Sequence, residues 1–258
     1  MPDECAFCPS TANFTGEHVW GDWINTVLTN RTFEFRRVDL KTLRVKSWKS
    51  KELNLKANVV CGKCNSGWMS RIDRDDAMPV LRHLITNPSK RTLPLRWIIS
   101  LGLFAFKTAV VADHMAIRGT PFFTREQRHN FARTLQVPGG VFMWLATLEH
   151  QTHGAFKTRT VVPQTVFKDD FRLYVFTYAV GHFILQVVGA KWTTDDPKRY
   201  FRFPVIDQNP RDDFVSTSFW PIPISDPPRI FVWPPSSYLA ESHINEFADR
   251  WAKLQLIE

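Results

Sequence analysis

The chain has 258 residues, 44% of them hydrophobic with 21 Phe and 10 Trp, which excludes an intrinsically disordered protein and is enough for one large domain or two modest ones. A formal charge of +8 and a pI near 9.5 favour a polyanionic partner over an acidic or neutral one. The surplus is local: residues 31–56 hold nine Lys/Arg against three Asp/Glu, whereas residues 93–258 hold 18 against 15.

In chain order, the first feature is Cys5-Ala-Phe-Cys8, a C-x-x-C turn, followed by a short strand that ends in Glu17-His18. Trp20, Trp23, Ile24, Val27 and Leu28 then recur at helical spacing. Residues 32–48 alternate well enough for two strands around a turn at 39–42, with Phe33, Phe35, Leu43 and Val45 on one face. Asn58-Val59-Val60 reads as a further strand, and it runs into a second C-x-x-C pair, Cys61 and Cys64, with Asn65 directly behind it. Helical segments follow from Asn65 to about Asp76 and from Pro79 through Ile85, and the Asn87–Pro94 stretch reads as a linker.

Beyond the linker, an apolar run interrupted by Lys107 predicts a buried helix from Leu95 to about Ala112, too short on clean apolar residues for a membrane span. Thr124 is placed as the N-cap of a helix to Leu135, with Glu126 and Gln127 in its first turn. Strand-like runs follow at 141–148, 156–163, 171–179 and 182–189. The turn signals at His150-x-x-His153-Gly154 and Ala179-Val-Gly181 predict hairpins between them. Residues 204–235 carry eight prolines and read as an irregular segment with one edge strand; residues 236–254 read as a closing helix. The fold class expected is α+β, with residues 1–90 as one module and 91–258 as an α+β domain of helices followed by a mostly antiparallel sheet.

All four cysteines fall into the two C-x-x-C pairs, and each pair turns two sulfurs toward one point. Cys5, Cys8, Cys61 and Cys64 are therefore expected to bind one structural Zn²⁺. The residues Met-Pro-Asp-Glu-Cys at the start carry no basic or apolar leader, so reduced, metal-bound thiolates in the cytoplasm, with no membrane association, are the expectation.

Four cysteines in register with Glu17-His18 and with Cys61-x-x-Cys64-Asn65 resemble the HNH endonucleases, the zinc-stapled branch of the ββα-metal nucleases. The resemblance covers roughly the first 80 residues. It implies a metal-dependent endonuclease acting on DNA phosphodiester bonds, with His18 as general base, Asn58 (or Asn54) holding the imidazole, and Glu17 and Asn65 ligating a catalytic Mg²⁺ or Mn²⁺. In that setting Arg31, Arg36, Arg37, Arg44, Lys46 and Lys49 are candidate phosphate contacts. Each has a plainer reading: Glu17 as a first-turn charge, Asn65 as a helix cap, Asn58 as a surface strand residue, the basic stretch as a solvated face. A different class is also open, in which a non-catalytic zinc module binds DNA or a protein and residues 91–258 carry the function, through homodimer formation or a protein partner.

Overall fold

Alternation of side chains along a strand decides the orientation of the N-terminal elements. In the computed structural model, which describes residues 3–28, 33–38, 45–53, 55–115, 121–161, 171–192, 216–222 and 230–253, strand β1 (Phe14–His18) pairs antiparallel with β4 (Lys56–Cys61). Phe14 faces Cys61 and His18 faces Lys56, with an irregularity between Thr15 and Glu17. Between them lie a single helical turn, α1 (Ile24–Val27), and a hairpin of β2 (Phe33–Val38) and β3 (Val45–Ser50), paired from Phe33↔Ser50 to Val38↔Val45. The expected longer helix over residues 20–28 contracts to that one turn, although Trp20, Ile24 and Leu28 are buried as its spacing required.

From β4 the chain passes straight into helix. Turn α2 (Gly62–Cys64) is followed by wider turns at Asn65–Met69 and Ile72–Ala77 and by α3 (Met78–Thr86). The backbone leaves helical geometry at Gly67, at φ −91° and ψ −115°, which kinks the run just past the second cysteine pair. Two antiparallel strands leading into a helix thus frame the cysteines.

Helix α4 (Leu95–Met115) is long and apolar enough to cross a bilayer, but 67% of its most apolar window is buried inside the fold. It packs on the Ile72–Ala77 turn, on β4 and on β7. One buried cluster runs without a break from Cys5 through Ile72 and Leu84 to Phe104, Tyr178 and Trp233, so packing does not stop at residue 90. Helix α5 (Arg125–Thr134) starts as the sequence indicated: the Gln127 N–H donates to Thr124 Oγ1 at 3.2 Å, and the Thr124 N–H donates to Gln127 Oε1 at 3.0 Å.

The sheet is antiparallel, in the order β7-β6-β8, and the fold class is α+β. Its strands differ from expectation in length. Where two hairpins were expected, β6 (Val141–Val161) and β7 (Phe171–Trp192) are single long strands paired with each other. Both turn signals became bends. Gly181 takes φ +57°, and the register shifts opposite it, between Thr147 and Thr152 and again before Ala155. A Cβ at Gly181 would collide with the Ile85 carbonyl, so glycine there serves the approach of α3 to the sheet. β8 (Ser216–Trp220) edges β6, and β9 (Phe231–Trp233) pairs with β5 (Arg91–Leu93). The closing helix is three short pieces, Glu241–His243, α6 (Ile244–Asp249) and Arg250–Lys253, with Phe247 and Trp251 buried.

At the end of α4, Asp113 is fully buried, and its Oδ2 accepts the Phe123 N–H at 3.2 Å, tying the loop before α5 to the core. Burial raises its carboxyl from 3.8 to about 6 against the pull of the Phe123 and Phe122 amides. A raised acid pKa means the native state holds the proton more tightly than the unfolded chain, so this contribution is full below pH 3.8 and is lost as pH rises through 6. Asp113→Asn keeps the acceptor without the charge. Its urea midpoint is expected to match wild type near pH 4 and exceed it at pH 7, by on the order of 2 kcal/mol; parallel curves at the two pH values would rule this out.

Candidate functional site

The cysteines come together as their spacing required. Cys5 and Cys8 on the N-terminal turn meet Cys61 and Cys64 at the β4–α2 joint, and all four sulfurs lie within 4.8 Å of one another. A tetrahedral zinc with Zn–S near 2.3 Å needs S···S edges of about 3.8 Å. The Cys8 and Cys61 sulfurs stand 3.5 Å apart, and no disulfide joins any pair. Cys5 Sγ accepts the Cys61 N–H at 3.2 Å and the Phe7 N–H at 3.5 Å. A hydrogen bond from the Cys64 thiol, followed by those two amides, pulls the Cys5 thiol down to about 4 despite burial, while sharing that proton pushes Cys64 up. Thiolate character stabilised by backbone amides is the donor chemistry that a metal ion such as zinc takes. The residues fit the ion.

The turn holding Cys5 and Cys8 is closed over by α5. The Arg128 guanidinium, buried, donates to the Ala6 carbonyl through one Nη and to the Phe123 carbonyl at 3.1 Å through Nε. Glu4 pairs with Arg125 at 2.8 Å. Phe7, Trp68 and Phe131 meet edge to face, with Phe7–Trp68 centroids at 5.1 Å and Trp68–Phe131 at 5.6 Å. Trp68 is thus a core contact of the cysteine module.

On the exposed face of the β1–β4 ribbon, two predicted residues, Asn65 and Asn58, converge at Gly16, and a third, His18, lies next along that face. The Asn65 amide donates to Thr15 Oγ1 at 2.9 Å and to the Gly16 carbonyl at 3.4 Å. Asn58, exposed on β4, holds Oδ1 3.4 Å from where a Gly16 Cβ would stand. His18, two residues on along the same face, is one-quarter exposed and lies 3.9 Å from Asp22 through Nε2. Burial and then the neighbouring Lys56 charge hold the His18 imidazole below its ordinary 6.5, against the weaker pull of Asp22 and Glu17. A neutral ring near neutral pH is the form that takes a proton. Asn54 lies outside the described residues.

Glu17 faces the other way. Its Oε1 accepts a hydrogen bond from Lys107 Nζ at 2.7 Å, and the same ammonium reaches Asp73 Oδ2 at 2.8 Å. Lys107 comes from the middle of α4 and Asp73 from the Ile72–Ala77 turn, so three elements meet at one buried nitrogen. Burial pulls the Lys107 ammonium down, but the Asp73 and Glu17 carboxylates outweigh it and hold the lysine charged. Asp73 is raised, first by burial and then by Glu17, against Lys107. The directions are consistent with two carboxylates sharing one cation.

Among the basic candidates, Lys49 is exposed on β3; Arg36, Arg37 and Lys46 lie on the β2–β3 hairpin, described in its backbone course; Arg31 and Arg44 fall outside the described residues. Three residues enter the site that the motifs did not indicate: Lys107, Asp73 and Lys56. Lys107 alone left a signal, as a charge inside an apolar run that had to find a partner. No family model, curated protein or solved structure matches the chain.

Proposed function

We propose that the His18 face of the β1–β4 ribbon binds DNA and hydrolyses its phosphodiester bonds, with the cysteine cluster holding a structural Zn²⁺ beneath it. The observation that carries this reading is the convergence at Gly16 of the Asn58 and Asn65 side chains, two residues along the exposed face from His18. His18 takes a proton from the attacking water. Lys56, exposed and cross-strand from His18, is the cation nearest to hand for the phosphate charge, and the Asn58 carboxamide offers N–H donors to its oxygens, while Asn65 spends its own on Thr15 and Gly16. The catalytic Mg²⁺ or Mn²⁺ that the HNH resemblance implies does not fit Glu17 as folded, because that carboxylate is buried against Lys107, and no step is routed through such an ion.

The same pairing favours a second reading, in which the module binds DNA or a protein without cutting. Plasmid nicking separates the two. Wild-type protein is expected to nick supercoiled DNA, and His18→Ala, with its melting curve unchanged, to lose about 100-fold or more of that rate. Binding without cleavage under Mg²⁺, Mn²⁺ and chelator alike would replace hydrolysis by the binding role.

A further inference from the structure

We infer that Lys107 is a built-in cation standing in a divalent-ion position between β1 and the helix leaving the cysteine cluster, and that removing its amine uncovers a metal site formed by Glu17 and Asp73. The inference shares with the proposed function only the placement of Glu17, and it holds whether or not His18 cleaves DNA.

Two carboxylate oxygens from separate elements reach one buried point, at 2.7 Å from Glu17 and 2.8 Å from Asp73, and the group at that point is a cation. Hard oxygen donors converging in this way are what Mg²⁺ or Mn²⁺ requires. More donors are at hand. The second Asp73 oxygen, Oδ1, is buried without a hydrogen-bond partner, and so is the hydroxyl of Tyr178, a wholly buried residue within electrostatic reach of Asp73. Buried polar atoms of this kind rarely go unpaired in a pocket built only for the groups it holds. Charge points the same way: two carboxylates face one ammonium, so the pocket carries one negative charge more than Lys107 cancels, and a divalent ion would cancel both. The lysine arrives on a mostly apolar helix, with Phe104, Phe106 and Val110 buried on it; Thr108 and Asp113 are the other polar side chains that helix buries, and Lys107 is its cation at that point. An ordinary buried ion pair would account for the contacts, but it predicts no affinity for a metal once the lysine is gone.

The test is Mn²⁺ binding to zinc-loaded 258-residue chains, followed by the loss of the free-Mn²⁺ electron paramagnetic resonance signal and by thermal melting. Lys107→Ala is expected to bind one Mn²⁺ per chain and to melt higher in millimolar Mn²⁺ than without it. Wild type is expected to do neither, and the Lys107→Ala/Glu17→Gln double variant to lose both effects. If Lys107→Ala is unfolded in metal-free buffer, Mn²⁺ is expected to restore its circular dichroism. A folded Lys107→Ala chain blind to Mn²⁺, an unfolded one that Mn²⁺ does not rescue, or a wild-type chain binding Mn²⁺ in a manner abolished by Glu17→Gln would each overturn the inference. Plasmid nicking reports on His18 separately, so either conclusion can fail alone.

Discussion

A Cys64→Ala chain is expected to lose its metal and, with it, the native state. Cys64 is buried at the first helical turn after β4, and its sulfur is one of the four within 4.8 Å of one another where the N-terminal turn meets the β4–α2 joint. A structural zinc site is worth on the order of 10 kcal/mol of folding free energy, which equals or exceeds the ~5–15 kcal/mol by which whole domains are stable. The substitution leaves three ligands, and the Cys5 thiolate loses the partner that does most to favour it. The measurements are zinc per chain, by release to a colorimetric chelator, and the near-ultraviolet circular dichroism of Phe7 and Trp68 packed beside the site. A variant with wild-type zinc content and an unchanged melt would show that the cluster is not a staple.

The second large effect is expected from Lys107→Met. Methionine fills much the same volume but leaves Glu17 and Asp73 facing each other without a cation, and breaking a buried pair in this way costs about 3–5 kcal/mol. The triple variant Lys107→Met/Glu17→Gln/Asp73→Asn removes the charges together and is expected to recover most of that loss, because uncharged groups of similar shape carry a far smaller desolvation cost. Urea midpoints of the two variants and wild type decide it. A single substitution costing under about 1 kcal/mol would mean that the triad does not hold β1 to α4.

These two sites differ in how far the sequence discloses them. The cysteine cluster could be read because its ligands come as two local pairs whose spacing is itself the geometry. The capped start of α5 is legible for the same reason, since Thr124 and Gln127 are one turn apart. Strand alternation placed Glu17 and His18 on opposite faces, but it could not say what waited on the inner face. The partner of Glu17 is 90 residues away in the chain, on a helix whose single lysine looked like an interruption. Turn chemistry misled at Gly181 and at His150–Gly154. The residue types that close a hairpin also serve where a long strand pair bends, and only packing against Ile85 distinguishes the two.

The bond from Arg128 to the Ala6 carbonyl spans 122 positions of sequence, and the Phe131 ring that closes over Phe7 and Trp68 lies slightly farther along. During synthesis, then, all four sulfurs leave the ribosome well before the part of the chain that covers them. A chain made only through the β4–α2 joint has all four sulfurs of the cluster, but the Phe7 and Trp68 rings beside them have no cover until α5 arrives. Gathering the four sulfurs and drying the interior around them therefore draw on parts of the chain made at different times.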